Sequence, residues 1–136
     1  IDTSINLNVP AYIENDYLPQ AELRLEMYKR LAECKTLDEL EILKDEIIDR
    51  FGPFSETFHN LIELTKLKII SMPLMIKRII GTNKRIECTF DSESPILADN
   101  KTNNVLVFNP QEDNSILFLQ DTFSTIISNL KLDEAS

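Results

Sequence analysis

Six acidic residues of this sequence have a spacing that could do chemistry. Asp38, Glu41, Asp45 and Asp49 follow i, i+3, i+7, i+11, with Glu39 and Glu46 beside them. At about 100° per residue they fall along one face of a helix. Such a row can lie in water, hold a divalent cation or dock a basic partner. A cation needs ligands gathered around a point, and carboxylates spread along a straight helix do not converge. Acidic helix faces are commonly just solvated. Here, however, Ile42 projects from among the acids. An apolar contact ringed by charge has the composition of a small interface. Other chemistry is sparse. His59 is the single histidine, and Glu63 lies four residues on. That pair could share a helix face toward a metal, but two ligands without a third are weak evidence. There is no G-x-S-x-G, phosphate loop or H-E-x-x-H. Gly52 and Gly81 are too few for a glycine-rich nucleotide cradle.

The element that must carry the acidic row is Thr36 to Phe54. Thr36 with Glu39 three residues on reads as a capping box. Gly52 and Pro53 read as a helix stop. Leu40, Leu43, Ile47 and Phe51 form the opposite, buried face, with Leu37 and Ile48 at its edge. Before it, Ile5, Leu7 and Val9 alternate like a short half-buried strand ending at Pro10. Tyr12 to Pro19 connects this strand to a helix that begins with Pro19 in its first turn and runs through Cys34. Leu23, Met27, Leu31 and Cys34 form the apolar arc of that helix, widened by Ala21, Leu25, Tyr28 and Ala32. Arg24 falls inside the arc. An Arg there must snorkel or meet a carboxylate, and Asp49 is the first candidate.

A third helix is expected from Ser55, as N-cap, to about Ser71. Phe58, Leu61, Ile62, Thr65 and Ile69 line its main stripe, and Leu67 and Ile70 suggest a second contact. Beyond Pro73, Ile76 to Ile80 and Arg85 to Phe90 read as strands around a turn at Gly81-Thr82-Asn83. Asp91 to Asn104 reads as a loop with one helical turn at Ile96 to Ala98. Val105 to Phe108 and Ile116 to Leu119 read as two more strands. A last helix is expected from Asp121 or Thr122, using Phe123, Ile126, Ile127 and Leu130. The fold class is therefore α+β: a short N-terminal strand and three helices packed on a small, mostly antiparallel sheet, with a C-terminal helix. Residues 1–136 form a single domain, with a mainly helical half (1–75) and a strand-rich half (76–136).

A chain of 136 residues can bury a sizeable core without staples. The net charge of −9 argues against DNA, RNA or an anionic membrane as its direct ligand, because phosphate binding needs clustered Lys and Arg. The one basic concentration is Lys66, Lys68, Lys77, Arg78, Lys84 and Arg85, read as the flank of a helix and a hairpin. Cys34 and Cys88 lie in different segments, which fits a reduced, cytoplasmic chain. No apolar run reaches the roughly 20 residues that span a bilayer, and no signal peptide is visible. A start at Ile1 rather than Met suggests a piece of a longer protein.

The series Tyr17-Leu18-Pro19, Arg24-Leu25, Tyr28-Lys29-Arg30 and Asp49-Arg50-Phe51-Gly52 resembles the C-terminal TRCF domain of the bacterial transcription-repair coupling factors. The likeness runs from Val9 to Ile13 through the third helix to Ile79. R-L-x-x-Y-K-R followed by D-R-F-G is fairly specific at this spacing; Y-K or D-R-F-G alone would mean little. The family usually has a Gly near the end of the third helix, where this chain has Met75, and the part after Phe90 matches poorly.

The resemblance implies a large parent protein that binds RNA polymerase stalled at a DNA lesion. That parent would push the polymerase off with a helicase-like, ATP-driven DNA translocase and recruit the nucleotide-excision repair machinery. ATP and Mg would belong to the translocase domains, and this piece would hold no cofactor and no active site. Its implied role is autoinhibition. It would pack on the parent's N-terminal repair-coupling domain and mask the surface that recognises the damage-sensing component of the excision nuclease. The positions matching the family's acid-to-arginine contacts are Glu46 and Asp49, with Asp45 and Ile42 beside them. Arg24, Tyr28, Arg50, Phe51 and Gly52 would carry the structural motif. The alternative class is a stand-alone metal-dependent hydrolase using the acidic face and His59.

Overall fold

The computed structural model describes residues 2–97 and 103–135. Local signals explain where most elements start and stop. The first helix, α1 (Ala21–Glu33), begins after Gln20, so Pro19 lies just outside it rather than in its first turn. In α2 (Leu37–Phe51) the Thr36 hydroxyl accepts the Glu39 N–H at 3.1 Å. Glu39 reaches back to the N–H of Lys35, one residue before the cap, at 3.0 Å. The two bonds satisfy donors that a helix start would otherwise leave open. In α3 (Glu56–Ser71) the Ser55 hydroxyl accepts the Phe58 N–H at 3.2 Å. A 3-10 turn follows at Met72–Leu74 and ends on Met75, which is left-handed at φ 53°, ψ 48°.

The chain divides into two compact units, one of which is Val9–Ile69. Its core joins Leu18, Met27 and Leu31 with Leu40, Leu43, Ile47, Phe58 and Ile62, all buried. Each such side chain contributes about 1.5–3 kcal/mol when fully removed from water. The ring of Tyr17 meets Phe58 edge-on at 5.2 Å, and Phe54 lies 4.9 Å from Phe58.

The other unit holds a four-stranded sheet in the order β1-β2-β3-β4: β1 (Ser4–Asn6), β2 (Ile76–Gly81), β3 (Ile86–Phe90) and β4 (Val105–Phe108). β1 runs parallel to β2, with Ile5 opposite Ile79. The β2–β3 and β3–β4 pairs are antiparallel, with Ile79 opposite Cys88 and Cys88 opposite Leu106. A parallel pair needs a long crossover, and α1–α3 occupy it in sequence. Gly81 ends β2 because a Cβ there would lie 2.1 Å from the Arg85 carbonyl oxygen. A 3-10 turn spans Pro95–Leu97; Ala98, the end of the expected helical turn, lies outside the described residues.

Two elements differ from the sequence reading. The first strand stops at Asn6, because Asn8 takes a positive φ of 54° that breaks extension before Val9. Ile116 to Leu119 is not a strand: α4 runs Ser115–Ala135, several residues earlier than expected. Asn114 caps it, its side-chain oxygen accepting the Leu117 N–H at 3.0 Å. Ile116, Leu119, Gln120 and Phe123 are buried at i, i+3, i+4, i+7, a helical period that four residues alone do not display. The Phe108 ring of β4 meets Phe118 and Phe123 of α4 at 5.9 and 6.3 Å.

Candidate docking surface on the acidic helix

The family motif acts here as a set of ties within the Val9–Ile69 unit. The Tyr17 hydroxyl donates to the Gly52 carbonyl at 2.6 Å, and the Tyr28 hydroxyl accepts the Ile13 N–H at 2.9 Å. Gly52 sits at φ 91°, ψ −175°, a region open essentially to glycine alone. Its own N–H still donates to the Ile48 carbonyl at 2.9 Å, closing α2. The Arg50 guanidinium stacks over the ring of Phe51, 4.8 Å from its centre.

Arg24 does not meet Asp49. It is half-buried, and its guanidinium donates to the Leu18 and Pro19 carbonyls at 2.7 and 2.9 Å. The chain turns into α1 at these two carbonyls, so Arg24 folds back and satisfies them without a carboxylate. Asp49 is exposed and has no partner among the described residues. The conflict between an internal and an external role for Asp49 therefore disappears.

Glu46 is the acid that is held internally. Arg30, in the last turn of α1, grips it with both guanidinium nitrogens, Nη2 lying 2.9 Å from Oε1 and Nη1 touching Oε2. Arg50 adds a longer contact of 3.5 Å to Oε2. The hydrogen bond from Arg30 dominates and pulls the Glu46 carboxyl down to about 2, against a smaller opposing effect of burial. The same bond raises Arg30. Sequence reasoning missed this tie, because spacing within either helix carries no information about contacts between them.

What remains outward on α2 is compact. Ile42 is 68% exposed. Asp38 and Asp45, at i−4 and i+3 from it, are exposed and have no partner among the described residues. Glu41 is exposed and reaches Lys44 at 3.3 Å. Asp45 and Asp49 lie one helical turn apart on the same face. The arrangement is an apolar knob with carboxylates on three sides.

The metal reading finds no site. His59 Nε2 and Glu63 Oε1 are 3.8 Å apart. Among the described residues no group of three or more His, Cys, Asp and Glu side chains could hold an ion. Both cysteines are free thiols. Among the described residues no helix is long and apolar enough to cross a membrane.

Comparison with known proteins agrees with this architecture. A solved structure described as the C-terminal domain of transcription-repair coupling factor superposes with a TM-score of 0.82. The match covers 99% of this chain and 96% of that one at 21% identity, so it speaks for the fold. The transcription-repair-coupling factor of Haemophilus influenzae is 43% identical over 75 residues, 55% of this chain and 6% of that protein. That of Escherichia coli is 35% identical over 82 residues, 60% of this chain and 7% of that protein. The chain thus corresponds to a small fraction of the curated relatives it matches. The TRCF domain model matches residues 7–101, most of the chain, and with the motif ties just described it places this protein in the TRCF domain family of transcription-repair coupling factors.

Proposed function

We propose that this domain is a non-catalytic regulatory module of a cytoplasmic, ATP-driven transcription-repair coupling factor. It docks through the outward face of α2 on the parent's N-terminal repair-coupling domain and masks the surface that recognises the damage-sensing component of the excision nuclease. The observation that carries this reading is the exposed Ile42 among exposed Asp38, Asp45 and Asp49 on a rigid, capped helix. A partner with an apolar socket rimmed by arginines complements it in shape and charge. Glu46 contributes differently from Asp49. With its carboxylate shared between Arg30 and Arg50, it fixes α2 against α1 and offers a partner less free charge. Exposed ion pairs are worth only about 0–1 kcal/mol each, so the contact is weak enough to open when the parent engages polymerase.

The direct test is calorimetric titration of this chain into the isolated N-terminal repair-coupling domain. Binding should be measurable with the natural chain. It should weaken about tenfold or more with Asp45→Lys and Asp49→Lys together, since both attractions become repulsions. Circular dichroism should report an unchanged fold. Equal binding by the two chains would remove α2 from the interface.

A further inference from the structure

A shallow cleft of about 420 Å³ lies along α4, lined by Glu112, Phe118, Asp121, Thr122, Thr125 and Ile126. The last five follow i, i+3, i+4, i+7, i+8, one face of the helix, and Glu112 comes from the connection after β4. The cleft is far from α2 in sequence and shares no residue with it.

Its chemistry is one-sided. The Thr122 hydroxyl donates to the Phe118 carbonyl at 2.8 Å, and the Thr125 hydroxyl to the Asp121 carbonyl at 2.9 Å. Their oxygens are left to the cleft only as acceptors. Carboxylates also only accept, and neither Glu112 nor Asp121 has a side-chain partner among the described residues. No side chain lining the cleft therefore offers a free polar hydrogen, and none is cationic. Phe118 and Ile126 supply its apolar wall. The Phe118 ring is set edge-to-face against Phe108, so the wall is formed in advance.

We infer that this cleft receives an arginine side chain from a protein partner, its guanidinium between Glu112 and Asp121 and its stem along Phe118 and Ile126. A guanidinium is the group these surroundings select. It carries only donors, forks onto carboxylates and stacks on aromatic rings, whereas an ammonium is a more strongly hydrated point charge. The source is a protein because the cleft is too shallow to envelop a small ligand, while a partner's residues beside the arginine can close it over. This interface is independent of the α2 docking surface.

The test is NMR titration of the ¹⁵N-labelled 136-residue chain with the capped tripeptide acetyl-Leu-Arg-Leu-amide. Controls are the same peptide with norleucine for arginine, and free arginine. The arginine peptide should shift the amides around Glu112 and from Phe118 to Ile126. Its apparent affinity should fall about tenfold in the Glu112→Gln, Asp121→Asn double variant, the loss expected for charge-assisted hydrogen bonds. Asp45→Asn with Asp49→Asn on α2 should leave the titration unchanged. Three results would overturn the inference: equal shifts from the norleucine peptide, shifts that follow acidic residues along α2 instead, or free arginine binding as tightly as the peptide.

Discussion

At the scale of single residues, Glu46 and Met75 carry consequences that differ in sign. Glu46 is ionised well below the usual carboxylate range because Arg30 binds its charged form. A carboxyl depressed in the folded state stabilises it fully above the unfolded pKa of roughly 4.3, and this stabilisation is lost as pH falls toward about 2. Urea unfolding of Glu46→Gln should therefore show a deficit at pH 7 that shrinks below pH ~4 and disappears near pH ~2. A deficit independent of pH would mean that the Arg30 pair contributes through packing alone. Met75 holds a left-handed backbone at φ 53°. That conformation costs a non-glycine residue roughly 1–2 kcal/mol, against about 0.5–1 kcal/mol for glycine's extra unfolded-state freedom. Met75→Gly should raise stability by about 0.5 kcal/mol. A clear loss instead would show that the half-buried Met75 side chain packs too well to give up.

At the scale of elements, α2 is set by its two ends. Removing the N-cap hydroxyl with Thr36→Ala should cost about 1 kcal/mol in thermal unfolding, while a cost near zero would mean that Glu39 alone holds the start. At the other end, nothing crowds a Cβ at Gly52, so only its backbone conformation resists substitution. Gly52→Ala should lose about 1–3 kcal/mol without any clash being visible, and a neutral result would mean that the chain relaxes there.

The legibility of these elements in the sequence follows the same physics. α1, α2 and α3 could be read because each is long and periodic, and α2 and α3 carry cap residues as well. α4 could not be read at its start, because Ile116 to Leu119 is a short apolar run and only Phe123 restores the helical period. The strand at the N-terminus was read too long, because a single left-handed Asn8 leaves no trace in hydrophobic alternation. Arg24 was correctly flagged as anomalous in an apolar arc. Its acceptors are backbone carbonyls, though, and these carry no sequence signature.

At the scale of the whole molecule, the outward face of α2 was visible in advance as a pattern: acids at helical spacing around one isoleucine. Which acids remain free was not visible, since that depends on Arg30 reaching across from another helix. The buried state of the sheet gives an independent check on the fold. Cys88 is fully buried in β3, and burial pushes its thiol up to about 12. Reactivity needs the thiolate and access, so a thiol reagent at neutral pH should modify Cys88 only after unfolding. Rapid labelling of Cys88 in the native chain would contradict the packing of this sheet.

The central claim is that α2 closes the parent protein through Ile42, Asp45 and Asp49. The most direct measurement is the affinity of the intact parent for the damage-sensing component of the excision nuclease, with and without Asp45→Lys and Asp49→Lys in this domain. These two positions are the informative choice, because Glu46→Lys would place a third cation against Arg30 and Arg50 and disturb the fold itself. The account predicts that the doubly substituted parent binds the nuclease component at least about tenfold more tightly than the natural parent, as the mask is lost. A correctly folded variant that stays as closed to this component as the natural protein would contradict it.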